Sequence, residues 1–237
     1  MTLWTLGLTG MAVAGAAWVV RGRSSDVFGP SVWRGPRSGD AIALTFDDGP
    51  SESTPAILEV LARHRAPATF FQCGANVRRL SAVAREVAAA GHEIGNHSYT
   101  HSLLCLRSRR FIRQELVRAQ DAIMEATGAA PRFFRAPYGV RWFGLREAQR
   151  ELGLVGVMWT VIGLDWKLGA DGIVHRIDRR AAPGAIICLH DGRRLDERPD
   201  IRQAVAATER LVPHLLARGF RFVTIGSLLC PTTSLSA

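Results

Sequence analysis

Lysine is almost absent. Of the 30 basic residues in 237, Lys167 is the single lysine and the rest are arginines, a skew that reads as coding bias. Cysteine is sparse too: Cys73, Cys105, Cys188 and Cys230 form no CxxC pair, which excludes a thiolate zinc knuckle and a dithiol redox motif. Cys73 and Cys188 sit in apolar stretches, where a thiol behaves as a small buried hydrophobe. No zinc-finger or RNA-binding signature is present, so the chain is not read as a nucleic-acid binder. No repeat of 20 to 50 residues is visible. Acidic residues are the minority, 21 against 30 basic ones, and the formal charge of +9 favours anionic partners without choosing among them. What is present, 47% hydrophobic and 22% charged residues, suits one globular domain that needs no disulfide staple.

Residues 2–20 carry no charged side chain, about the length that crosses a hydrocarbon core as a helix. The alternative is a cleaved export signal, with Ala12 to Ala14 or Ala14 to Ala16 as small-residue sites, but a signal begins with basic side chains and this segment has none. The expectation is an uncleaved hydrophobic membrane anchor over 1–23, a single N-terminal span. Arg21, Arg23, Arg34 and Arg37 follow it, which places the main domain on the cytoplasmic side. Residues 24–39, rich in Gly, Pro, Ser and Arg, read as a linker; the folded domain is expected over 40–230, with 231–237 a tail.

From Asp40 onward, strand and helix patterns alternate. Ile42, Leu44 and Phe46 alternate as in a half-buried strand, and Thr54 and Pro55 open a helix reaching about Arg65. Further strands are expected at Ala68 to Cys73, His92 to Asn96, Phe133 to Ala136, Leu154 to Ile162, Ala185 to Leu189 and Phe220 to Ile225. Helices are expected at Ser81 to Ala90, Gly144 to Leu152, Ile173 to Ala182 and Ile201 to Arg218, the last kinked at Pro213. Ile112, Leu116, Ala119 and Ile123 mark one face of another, stopped by Gly128 and Pro131. Seven strands alternating with helices define an α/β protein with a parallel sheet. About 190 residues are too few for a comfortable eight-unit barrel. The fold is therefore read as a deformed, incomplete (β/α)7 barrel of parallel strands with an N-terminal hydrophobic helix.

Reactive groups of such folds gather at the carboxyl ends of strands. Those ends read TFDDGP at 45–50, HSYTH at 97–101, RAPYG at 135–139, DW at 165–166 and LHDG at 189–192. His97 and His101, four apart, come to one side if the segment makes a helical turn, and a neighbouring carboxylate would complete a three-ligand set with an open position. Adjacent Asp47 and Asp48 cannot both point the same way from extended backbone, so one can bind metal while the other approaches its water.

In that order and spacing, TFDDGP, HSYTH, RAPYG, DW and ICLHDG resemble the polysaccharide deacetylase family, carbohydrate esterase family 4 or the NodB-homology domain, over about Asp40 to Leu229. The resemblance implies a hydrolase removing N- or O-acetyl groups from sugars with a divalent metal, most often zinc, with cobalt or another divalent ion as an alternative. Carried over, it implies Asp48, His97 and His101 as metal ligands, Asp47 as general base, and His190 as general acid oriented by Asp165. Arg135 would hold Asp47, the Tyr138 backbone N–H would meet the oxyanion, and Trp166, Leu189 and Pro137 would line the acetyl pocket. The chemistry is coherent: zinc with three protein ligands lowers the pKa of its water to about 7, and an amine leaves only once protonated. Where the family often carries another aspartate, three positions before Asp165, this chain has Ile162.

The function read from this is N-deacetylation of N-acetylglucosamine units in peptidoglycan, chitin-like oligosaccharide or a lipid-linked sugar. The alternatives are a deformylase or other sugar amidase on the same scaffold, and a silent glycan-binding module. The partners implied are a glycan and, through the anchor, a membrane; the chain is read as a monomer. Arg107, Arg109, Arg110 and Arg113, with Arg193, Arg194 and Arg198, are either a solvated surface or a face for anionic head groups. Family members that trim cell-wall polymers work outside the cell, against the inside placement that the arginines suggest.

Overall fold

Ile42, Leu44 and Phe46 along strand β2 (Ala41–Asp47) are fully buried in the layer beneath the helices, whereas Ala43 packs with Phe71, Val157 and Ile186 inside the sheet's curl. That two-residue period is what sets Thr45 and Asp47 on the inner face. A computed structural model describes residue 15 and residues 17–230, and β2 lies at its centre. The other strands are β1 (Ser31–Val32), β3 (Thr69–Gln72), β4 (Glu93–Asn96), β5 (Phe133–Phe134), β6 (Val155–Val157), β7 (Val161–Ile162), β8 (Ile186–His190) and β9 (Arg221–Phe222). They run in the order β1-β6-β5-β4-β3-β2-β8-β7, every pair parallel, with β9 alongside β2. The result is the deformed, incomplete barrel expected from the strand-helix alternation.

Among the described residues, eight helices flank it: α1 (Thr54–Arg63), α2 (Gly74–Arg79), α3 (Ser81–Ala89), α4 (Arg109–Thr127), α5 (Leu145–Leu152), α6 (Ala170–Asp178), α7 (Arg202–Ala217) and α8 (Ile225–Leu229). The main core joins Ile57 and Leu61 of α1, Ile173 and Ile177 of α6 and Leu211 of α7 to the outer face of β2 and β8. α4 turns Ile112, Leu116, Ala119 and Ile123 inward as its spacing predicts, and ends on Gly128 in the left-handed region at φ 77°.

Three expectations change. The apolar run Leu154 to Ile162 is two strands, not one, because residues 158–160 leave the sheet and cross its open side. Residues 74–79 form the short helix α2, unmarked by apolar spacing. The strand expected to reach Ile225 stops at Phe222, because Thr224 caps α8 by accepting from the Ser227 N–H. Pro213 lies within α7, as expected of the helix over 201–218.

The expected linker is part of the fold. β1 pairs with β6, Phe28 is buried against Trp142 and Phe143, and the Ser25 hydroxyl is buried on the Val19 carbonyl. The expected membrane span is overturned: among the described residues no helix is long and apolar enough to cross a membrane. Residues 1–14 and 16 of that stretch lie outside the described residues. Residues 17–21 are a helical turn fastened to the domain, with the Arg141 N–H on the Val20 carbonyl at 3.1 Å and the Arg141 guanidinium on the carbonyls of Gly22 and Ser25.

Candidate active site

β2 ends on Asp47 with its side chain inward, and Asp48 then takes a left-handed φ of 74°. Extended backbone would turn Asp48 outward; this bend brings both carboxylates to one cleft. The cis Gly49–Pro50 bond follows, and a Cβ on Gly49 would lie 2.1 Å from Asp191 Oδ2, so no larger residue fits.

His97 follows β4 directly, and residues 97–101 form no helical turn. Ser98 and His101 have φ of 64° and 54°, and the loop is held from outside. The Glu115 carboxylate on α4 accepts the N–H groups of Tyr99 and Thr100 at 3.2 and 2.8 Å and the Thr100 hydroxyl at 3.0 Å. Asn96 Oδ1 accepts the Ser98 N–H, and Ser98 Oγ accepts that of His101.

The loop sets His97 Nε2 and His101 Nε2 at 3.2 and 3.0 Å from Asp48 Oδ1, all three side chains buried. His97 Nδ1 lies 2.8 Å from the Arg135 carbonyl. A carbonyl only accepts, so Nδ1 carries the hydrogen and the lone pair of Nε2 faces the carboxylate. Asp48 Oδ1 is buried with no hydrogen bond among the described residues, while its Oδ2 accepts from the Arg194 N–H. Acceptors converging on one point fit a divalent cation, and Asp, His, His is a borderline-hard set that suits zinc. Burial pushes His101 down, favouring the neutral, ligating form.

Asp47 is held from the other side. Arg135, completely buried, donates from Nη1 to Asp47 Oδ1 at 2.6 Å and to Thr45 Oγ1 at 2.8 Å, and from Nε to the Val157 carbonyl at 3.1 Å. Its guanidinium lies 4.1 Å from the Phe71 ring centre. Beneath Asp47, the Cys188 thiol donates to Oδ2 at 3.4 Å, and burial pushes that thiol well above its usual range, keeping it protonated.

His190 ends β8 opposite Asp47, as their register pairing requires. Its Nδ1 lies 2.9 Å from Asp165 Oδ1, and its backbone N–H donates to Asp165 Oδ2 at 2.9 Å. One donor atom from each of Asp47, Cys188 and His190 lies within 4.8 Å of the others. This second cluster is not a metal set, because Arg135 and Asp165 already occupy its charged groups. Burial pushes His190 down, but Asp165 outweighs it, with Asp48 and Asp47 adding, and raises it to about 9.

The cleft above these groups has a volume of about 530 Å³. Trp166 lies edge-on to His190 at 5.1 Å, and Tyr138, with φ 58°, lies edge-on to His101 at 4.7 Å. Trp159 and Ile162 complete its apolar wall. Two expected pocket residues are elsewhere. Leu189 points to the outer face with Phe46, by strand alternation, and joins the main core; Pro137 is buried and does not line the cleft.

The family profile described as polysaccharide deacetylase matches residues 34–157. The chain is 41% identical over 196 residues to a chitooligosaccharide deacetylase of Sinorhizobium fredii, covering 78% of this chain and 91% of the relative. The chain belongs to the polysaccharide deacetylase family. A peptidoglycan-N-acetylglucosamine deacetylase of Bacillus cereus is 34% identical over 196 residues, covering 82% of this chain and 70% of the relative. Among solved structures, a peptidoglycan N-acetylglucosamine deacetylase crystallised with a naphthalenyl N-oxidanyl-benzamide superposes with a TM-score of 0.79 at 31% identity, covering 90% of this chain and 96% of the other. As a polysaccharide deacetylase, the chain is a hydrolase of carbon–nitrogen bonds.

Several residues of this deacetylase site were not legible in the strand-end census. Glu115 lies on the core-facing side of a helix, where a buried acid is a signal in itself. Asn76, on α2, donates to the carbonyls of Asp48 and Arg194 at 2.8 Å each and ties two site loops together. Cys188 gave no signal, because a strand thiol usually reads as apolar filler. Of the basic runs, Arg109 and Arg113 pair with Glu147 and Glu151 on α5, and Arg198 pairs with Glu52.

Proposed function

We propose that the chain removes N-acetyl groups from N-acetylglucosamine-containing glycans, with Asp48, His97 and His101 holding zinc or another divalent cation. The observation that carries this is the convergence of Asp47 and His190 from neighbouring, paired strands onto one cleft beside the ligand set. A divalent cation, when bound, supplies a Lewis acid that polarises the acyl carbonyl and acidifies water.

The protein's own groups divide the proton work. Asp47, its Oδ1 taken by Arg135, has on Oδ2, which also accepts from the Cys188 thiol, a second lone pair to take a proton from the attacking water. Arg135 holds that carboxylate anionic and oriented in a buried place. Asp165 fixes His190 with Nδ1 toward the carboxylate, so Nε2–H delivers the proton to the departing sugar amine. Tyr138 offers its backbone N–H to the developing oxyanion from a turn already in place, which costs no reorganisation. Trp166, with Trp159 and Ile162, gives the acyl methyl an apolar wall.

The test is acetate release from N-acetylglucosamine oligomers and peptidoglycan, with and without zinc and chelator. Release that depends on metal and falls at least about 100-fold in Asp47→Asn and in His190→Ala supports the reading. Release that survives either substitution, or release of formate alone from formylated sugars, overturns it.

A further inference from the structure

The rim of the cleft carries three guanidinium groups, from Arg21, Arg193 and Arg194, all exposed. Arg21 donates to the Tyr138 carbonyl at 3.4 Å, and the Arg194 guanidinium lies 5.5 Å from the Tyr138 ring centre. Two of the three therefore flank the residue that packs on the metal ligand His101. Arg193 stands three residues beyond His190. Among the described residues none of the three has a carboxylate within ion-pair distance, although neighbouring arginines do: Arg79 pairs with Glu197, Arg198 with Glu52 and Arg202 with Asp200.

The acids of the cleft do not cancel this charge. Asp47 is neutralised by Arg135 and Asp165 by His190. Asp200 is taken by both nitrogens of the Arg202 fork, at 3.0 and 2.8 Å, and Asp48 belongs to the metal set. A neutral glycan has no use for three unopposed cations, and holding them together at one rim costs repulsion. Guanidinium forks match phosphate oxygens in pairs, and a cleft lined by one sign of charge concentrates ligands of the other.

We propose that this site is built for an acylated aminosugar bearing a phosphoryl group, with the phosphate on Arg21, Arg193 and Arg194 while the acyl group enters beside His190 and Trp166. This rests on the deacetylase reading for the sugar, and on the rim arginines alone for the phosphate. A soluble sugar phosphate and a lipid-linked sugar diphosphate present the same group to these arginines.

The test compares N-acetylglucosamine 1-phosphate with N-acetylglucosamine, by calorimetric binding to the zinc-loaded protein and by acetate release. Binding about tenfold or more tighter for the phosphorylated sugar at low salt is expected. The preference should shrink in about 0.5 M salt, where the Debye length falls below the span of the rim. It should also collapse in Arg193→Gln/Arg194→Gln but stay in Arg218→Gln, which breaks a surface pair with Asp178. Equal binding of the two sugars overturns the proposal, as does a preference unchanged by loss of both arginines, which would place the phosphate on the metal. Acetate released equally from both sugars overturns the proposal and leaves the deacetylase reading standing. If neither sugar releases acetate, that reading fails, while the binding ratio still decides the phosphate site. A diphosphoryl-lipid sugar in detergent distinguishes the sources: a further gain in kcat/KM over the soluble phosphate assigns the lipid-linked form, and parity assigns the soluble one.

Discussion

At the scale of single residues, His190 carries the sharpest pH consequence. Its folded pKa of about 9 lies above the ordinary histidine value, so the imidazolium is the form present through neutrality and is lost as pH rises through about 9. A proton donor in that state gives an activity that declines on the alkaline side. Asp165→Asn removes the largest raising influence and should move that limb toward lower pH; a pH profile of kcat/KM in both proteins measures it, and an unmoved limb would remove His190 from the acid role. The same shift stabilises the fold fully below the unfolded histidine pKa, a contribution that fades between there and about pH 9. At this scale the sequence was legible where chemistry demands rare combinations. Two adjacent acids, two histidines four apart and an arginine after a strand stand out from background, and the cleft brings Asp47, Asp48, His97, His101, Arg135, Asp165 and His190 together. Leu189 and Pro137 were misplaced because a motif shows which residues lie near a site, not which face of the strand they leave from.

At the scale of elements, the ligand loop depends on a helix that touches no metal. Glu115 accepts three hydrogen bonds from residues 99 and 100, between the left-handed Ser98 and His101, which Asn96 Oδ1, Ser98 Oγ and the Gly74 N–H hold in turn. Glu115→Ala should loosen both imidazoles and weaken zinc binding about 10- to 100-fold, the usual cost of losing an outer partner. Competition with a chromophoric chelator would read this directly, and unchanged affinity would show that the loop holds itself. The two histidines converge without the helical turn that their spacing allows, for the same reason. No glycine announces left-handed backbone here, and the support comes from Asn96 and Glu115, outside the HSYTH segment. Long elements were legible because their apolar spacing repeats, as along α4. Two-residue strands such as β1 and β7 contain too few side chains to show any period.

At the scale of the whole molecule, the open side of the barrel is closed by chain rather than by sheet. β1 and β7 are the two ends of the strand order, and residues 158–160 cross between them. The Met158 N–H reaches the Val32 carbonyl at 2.7 Å, the Thr160 N–H reaches Ile186 at 2.8 Å, and the Thr160 hydroxyl reaches the Trp33 carbonyl at 2.9 Å. The Gly35 N–H then meets the Gly184 carbonyl at 2.8 Å, where a Cβ on Gly184 would lie 2.3 Å from the Pro36 oxygen. A segment rich in Gly, Pro, Ser and Arg reads as a spacer because its partners lie more than a hundred residues away, yet it is the seam of the barrel. A chain starting at residue 40 would therefore lose β1, the seam bonds and buried Phe28, whose burial alone is worth about 2 kcal/mol. With about 1 kcal/mol for each of several hydrogen bonds, the loss should lower Tm by about 10 °C or more relative to a chain starting at residue 17. Arg135 would suffer with it, because its Nε and Nη2 rest on the carbonyls of Val157 and Met158 beside the missing strand. The shortened chain should thus lose acetate release at temperatures where it is still folded, whereas equal melting and equal activity would show the seam to be dispensable.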